Sequence, residues 1–340
     1  MERKKFQISW DDLSKYRTEI YGISALWIMI FHIYLVDGHS VSDNFFIRFI
    51  TTMIRKGNMG VEIFLFLSGC FLYYSFESCN KKLITFEKRR VTRLFLPVLL
   101  INVPYWIILL LDSGDIGRFA LRVSFLEFWI NGNQMIWFVS MIFICYLLYP
   151  FFYELFFESK YRKLILFLVL IYVILTTFSI FVKESSYYAV FNIGVTRFPI
   201  FIIGCWCGKL CKEKKEISYK TILLSCLIIL ASIYIYMFKP LSGIWGRYIY
   251  LSSIAYIIVF VWVLKIFNCK WINKFLRFFG NMSLELYLSQ ILMIDVYKVS
   301  SVYEEGNVRN YFLLLGVVVI HAKIISEIEK LLKKRVSLSG

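Results

Sequence analysis

Residues Ile20–Val36 read IYGISALWIMIFHIYLV, seventeen consecutive positions with no Asp, Glu, Lys or Arg and one histidine, His32. A hydrocarbon core about 30 Å thick takes around 20 apolar residues per helix, and in lipid only a helix or a closed barrel satisfies its own backbone amides. Such a run is predicted to cross a bilayer as a helix. Asp37-Gly38-His39 follow it in place of a small-residue cleavage site, so it reads as a retained span and not as a signal peptide.

The rest of the chain repeats the pattern. Comparable runs lie at about 60–77, 94–112, 135–153, 164–182, 193–210, 221–238, 248–267, 279–297 and 311–326, separated by short charged stretches. Hydrophobic residues make up 59% of the 340, and the mean hydropathy is +0.67, above the apolar share of an ordinary soluble domain. The expected fold is all-α, a polytopic bundle of about ten transmembrane helices. It is read as a single membrane domain over residues 1–340, with no additional soluble domain. Of the 39 Lys and Arg, 28 lie in or beside the N-terminal segment and every second loop after it, and 11 in the remaining loops. The positive-inside bias then predicts both termini in the cytoplasm of a multi-pass cell-membrane protein. The basic tail Lys330–Arg335 suits anionic membrane lipids on that side.

A net charge of +16 would suit nucleic acid, but the basic residues are dispersed among the gaps between apolar runs and form no nucleic-acid-binding motif. No nucleic-acid partner is expected. The eight Cys lie in apolar runs or in loops placed in the cytoplasm, without the spacing of a disulfide framework or a zinc site. They are read as reduced and structural, and no metal cofactor is expected.

An ionisable group inside a span is costly and points by default to function. His32 stands about 12 residues into the first span, roughly 18 Å from its start at 1.5 Å per residue, and Glu62 opens the second span at the same side. Two readings are open. A carboxylate beside the imidazole would orient the ring and raise its basicity, giving a general base for a hydroxyl nucleophile; alternatively, a neighbouring helix satisfies His32 while Glu62 reaches the interface. Lys88-Arg89-Arg90-Val91-Thr92-Arg93 opens the third span. Arg90 and Arg93 share a helix face there and, with Arg89, would clamp a phosphate-bearing ligand such as coenzyme A; the other reading is an anchor on lipid headgroups. His39 and His321, near span ends, are weaker candidates.

The loops 37–59 and 113–134 carry Arg48, Arg55, Lys56, Arg118, Arg122 and the stretch Phe128-Trp129-Ile130-Asn131-Gly132-Asn133-Gln134. They read either as a surface for a sugar or acidic polymer or as interfacial aromatics with solvated charges. Gly204-Cys-Trp-Cys-Gly208 is a small-xxx-small spacing that permits close helix packing.

Several landmarks in order resemble the acyltransferase-3 family of membrane proteins: Arg17 to His32, Gly60-Val-Glu-Ile-Phe-Leu-Phe-Leu-Ser-Gly69, Phe86 to Pro97, Ile136-Trp137-Phe138 with Tyr146 and Pro150, Arg197-Phe-Pro199 with Gly204, and Gly280-Asn-Met-Ser283-Leu-Glu-Leu-Tyr287. The resemblance covers nearly the whole chain. It implies transfer of an acyl group, most simply acetyl from acetyl-CoA, to a hydroxyl of a surface polysaccharide or lipid-linked glycan. It also implies that His32 is the essential histidine and that Arg90 and Arg93 are the paired arginines, with Glu62 where the family usually has Asp. Tyr21 stands where many members have a basic residue, Arg17 being the nearest one before His32. Gln290 replaces a His found in relatives, and no proton-transfer role is assigned to it. Direct transfer and an acyl-His intermediate both fit these residues. The rival class is a transporter or flippase of a glycan or lipid-linked precursor, in which His32 and Glu62 would line a proton path and charge loss at Arg90 and Arg93 would be tolerated; a non-catalytic scaffold would leave His32 and Glu62 without a purpose.

Overall fold

The computed structural model describes residues 7–37, 44–182, 186–238, 249–299 and 308–338; His39 lies outside the described residues. In chain order it runs β1 (Ile8–Ser9), α1 (Trp10–Lys15), α2 (Arg17–Asp37), α3 (Phe45–Arg55), a 3-10 turn (Lys56–Met59), α4 (Gly60–Ser78), α5 (Leu83–Ile101), α6 (Val103–Ser113), α7 (Ile116–Val123), α8 (Glu127–Asn131) and α9 (Trp137–Tyr153). A π-helical turn (Glu154–Glu158) leads to α10 (Arg162–Val182), α11 (Ser186–Val195), α12 (Phe198–Lys212), β2 (Glu216–Ile217), α13 (Tyr219–Phe238), a 3-10 turn (Ile249–Ser252), α14 (Ser253–Phe267), α15 (Lys270–Gly280), α16 (Ser283–Val299) and α17 (Val308–Leu338). The two strands form one short antiparallel pair, Ile8 opposite Ile217, which ties the N-terminal segment to the turn after α12.

The chain is a helical membrane protein. Among the described residues, five helical stretches are long and apolar enough to cross a bilayer, Phe45–Ser78, Trp137–Glu158, Phe191–Lys212, Tyr219–Phe238 and Tyr250–Phe267, or six if the bent pair α5 and α6 counts as one. The run expected at 94–112 is that bent pair. It breaks by 57° at Asn102, where Pro104 opens the next helix without needing a donor. Much of the surface is apolar, as the helices' lipid-facing sides require: α13 exposes Leu223, Leu224, Leu227 and Leu230.

The most extensive helix contact is between α4 and α12, followed by α2 against α15. In both, backbone meets backbone. A Cβ at Gly204 would stand 2.3 Å from the Phe66 carbonyl oxygen, and one at Gly280 1.9 Å from that of Thr18. Gly208 continues the first seam against Cys70 and Tyr73, so the small-xxx-small spacing packs on α4. All eight cysteines are free thiols, and Cys70 and Cys211 meet across the same seam at 3.2 Å.

Gly204→Ala should therefore lower stability by about 1–3 kcal/mol, the usual cost of overpacking. Gly316→Ala, whose added Cβ meets nothing within 4 Å, should stay within about 0.5 kcal/mol of the parent. Thermal unfolding in detergent, read by loss of the monodisperse chromatographic peak, compares the two.

Candidate functional site

His32 lies on the last turns of α2, half-buried, with Nδ1 3.0 Å from Gln290 Oε1 on α16. The Gln290 amide is buried, and its Nε2 donates to the Met29 carbonyl at 3.1 Å. That second bond fixes which end of the amide faces the histidine. With Oε1 the partner offered among the described residues, Nδ1 carries the hydrogen and donates it, leaving the Nε2 lone pair as the proton acceptor. Gln290, assigned no proton-transfer role from the sequence, thus sets the tautomer.

Glu62, on the first turn of α4, is placed on the helix packed beside α2, but the two groups expected to pair form no ion pair with each other. The Glu62 carboxylate is 2.6 Å from Arg197 Nε, with side-chain exposures of 1% and 3%. The Arg197 guanidinium lies over the rings of Trp137 at 5.0 Å and Tyr250 at 4.8 Å and donates to the Ile193 carbonyl. A guanidinium this close outcompetes a neutral imidazole for a buried carboxylate, because each ion needs the other's charge once both have left water. An arginine inside an apolar run was the sequence signal for Arg197. Lys56, read as a loop residue, is fully buried, its Nζ 4.8 Å from the Tyr236 ring centre and 3.5 Å from the Ser232 carbonyl. Arg122 instead pairs with Glu127 at 3.0 Å, Arg118 standing 3.8 Å from the same carboxylate.

At the other end of the bundle, Arg89, Arg90 and Arg93 line one cavity of about 360 Å³ together with Arg17. Arg17 is held by stacking over Phe71 at 4.8 Å, and Arg90 donates to Ser75 Oγ. Arg89 leans towards Cys79 Sγ at 3.3 Å. Four guanidiniums round one void suit a ligand with more than one phosphate, since each fork can donate two parallel hydrogen bonds to anionic oxygens. Tyr21 lines the same void as Arg17.

A second void of about 70 Å³ adjoins the first. Tyr21, Ser68, Arg93 and Tyr146 line both, and the second extends to Val61 and Ile28. Ile28 is one helical turn before His32, on the same face of α2. The passage wall is a chain of touching rings, Tyr21 to Phe64 at 5.3 Å, Phe64 to Phe138 at 6.2 Å and Phe138 to Tyr287 at 5.4 Å. The ring-lined wall thus runs from the arginines to Ile28, one helical turn short of His32, which itself lines neither void. His321, near the other expected span end, bonds Ser289 at 2.9 Å. Among the described residues no three His, Cys, Asp or Glu side chains gather as a donor set for a metal ion.

A family profile described as an acyltransferase domain, that of the acyltransferase-3 family, matches residues 22–326. No curated protein and no solved structure matches the chain.

Removing one partner of a buried pair strands the other charge, at about 3–5 kcal/mol. Glu62→Gln and Arg197→Met should each lower the unfolding temperature markedly, whereas the double variant should lose less than the sum, by a coupling of about 0.5–3 kcal/mol. Thermal melts of the four proteins in one detergent test this; strict additivity would mean that the pair does not act as a unit.

Proposed function

The chain belongs to the acyltransferase-3 family, and from that premise we propose that it moves an acyl group, most simply acetyl, from cytoplasmic acyl-CoA to a hydroxyl of an extracytoplasmic or cell-surface polysaccharide. In this reading the chain is a single membrane domain with both termini in the cytoplasm and about ten crossings, the bent α5 and α6 making the third. The observation that carries the reading is that Tyr21, Ser68, Arg93 and Tyr146 line both voids, with phosphate-binding chemistry in the first and, in the second, an apolar wall that reaches Ile28, one turn from His32.

Arg17, Arg89, Arg90 and Arg93 hold the coenzyme's phosphates by charge-assisted hydrogen bonds. The pantetheine arm runs between Tyr21, Ser68 and Tyr146 and carries the thioester towards Ile28 and His32. The acceptor hydroxyl arrives from the opposite side. His32 Nε2 takes its proton as the oxygen attacks the thioester carbonyl carbon; the C–S bond breaks, its electrons leave on sulfur, and the imidazolium returns the proton to the thiolate. No metal enters this sequence. Gln290 holds the ring in the productive tautomer. Glu62 acts at one remove, by holding Arg197 where Trp137 and Tyr250 enclose it. The transporter reading assigns no ligand to four arginines round a void, whereas a coenzyme A donor uses all of them.

Proton NMR of surface polysaccharide from the parent strain, a deletion and His32→Ala at equal membrane level tests the chemistry. Loss of one O-acyl signal in both mutants is the expected result. An unchanged acyl pattern with less total polymer would favour a flippase, and loss in the deletion alone would remove His32 as the base. In purified protein, His32→Ala should cost about 10²–10⁴ in kcat. Arg90→Gln or Arg93→Gln should instead raise KM for acetyl-CoA by tenfold or more, the loss expected for a hydrogen bond to a charged group, about 1.5–3 kcal/mol.

A further inference from the structure

A second basic cavity lies apart from the four arginines. Of about 220 Å³, it is lined by the π-helical turn after α9, the start of α10, the end of α12 and the turn that follows. Four cations line it, Arg162, Lys163, Lys209 and Lys215, against one carboxylate, Glu213, which Lys215 approaches at 3.4 Å and Lys209 at 4.0 Å. The cavity is thus charged for an anion that is not part of this chain. The rest of its wall is apolar, with Trp206, Leu210 and Phe157 beside the charges. A small soluble anion has no use for such a wall.

The neighbouring surface supplies what the apolar wall begins. Arg162 and Lys163 start α10, and the turns after them carry Leu164, Phe167, Leu168, Tyr172 and Leu175, each exposed by between 53 and 71%. Their spacing places them along one face of the helix, so a lane for hydrocarbon begins directly beside the cations. Phe156 and Phe157 belong to the π-helical turn, a local widening of the helix that recurs at functional sites. Phosphate chemistry, an amphiphilic wall and a tail lane are contiguous in one place.

We propose that this cavity, cytoplasmic under the topology proposed above, is a specific site for the headgroup of an acidic glycerophospholipid of that leaflet, with the acyl chains lying along α10. Diffuse attraction of basic loops to an anionic surface needs no cavity and treats all exposed cations alike. A site does not.

The test is native mass spectrometry of the whole chain released from nanodiscs of phosphatidylcholine containing phosphatidylglycerol. The parent should retain one phosphatidylglycerol in preference to phosphatidylcholine. Arg162→Gln with Lys209→Gln should reduce that retention by about 25-fold, roughly fivefold per charge, while Lys330→Gln with Lys334→Gln, the same charge change on the C-terminal helix, should leave it within about twofold. Where the first pair fails to fold, Lys163→Gln alone, at an exposed position, is read for a fivefold loss. Equal losses from the two pairs would reduce the effect to surface potential and overturn the site, as would equal retention of both lipids by the parent. Displacement of the lipid by millimolar inorganic phosphate would overturn the lipid assignment in favour of a soluble phosphate ligand.

Discussion

Hydrocarbon tolerates neither a bare glutamate nor a bare arginine, and the pairing of Glu62 with Arg197 sets how the centre of the bundle is assembled. Glu62 is on the first turn of α4 and Arg197 immediately precedes α12, so the ion pair closes the same end of the seam that Gly204 and Gly208 bring to backbone contact. At 100° per residue, Phe66 and Gly69 fall on the side of α4 that carries Glu62, and both face α12. Phe64 and Ser68 fall about 200° and 240° away, on the opposite side. Fixing where the carboxylate points therefore also fixes which residues α4 gives to the passage. Trp137 and Tyr250 draw α9 and the turn before α14 onto the same guanidinium, so one buried charge pair positions four elements.

The two polar ends and the apolar stretch between them answer a problem set by the bilayer. A nucleotide bearing several phosphates cannot enter hydrocarbon, yet under the proposed reaction its thioester must meet an acceptor on the far side. Tyr21, beside the arginines, and His32 are eleven positions apart on α2, about 17 Å of rise, a distance suited to an extended phosphopantetheine arm. The arm is the part of the coenzyme with least charge, and the ring-lined wall between Tyr21 and Tyr287 is matched to it.

Much of this was legible in the sequence, for a definite reason. Lipid forces the backbone of each apolar run to pair with itself, so helices follow from composition, and their ionisable residues stand out against that background. His32, Glu62 and the arginines of α5 are visible on that ground alone, and the glycine spacing at Gly204 and Gly208 announces a close approach without naming the partner. The bend at Asn102 was hidden because an apolar run reads the same whether straight or broken. The burial of Lys56 was hidden because a cation between two spans reads as a loop residue until aromatic rings from α13 and α14 close over it.

What the sequence by itself determined is the membrane, the helices and the identity of the groups hydrocarbon makes expensive. Which of those groups satisfy one another was decided only by the tertiary structure, because a charge or an imidazole takes the partner within about 3 Å and not the nearest in the chain. His32 bonds Gln290, 258 positions along, and Glu62 pairs with Arg197 across the α4–α12 seam; Arg17 joins the arginines of α5 because α2 and α5 present them to one void.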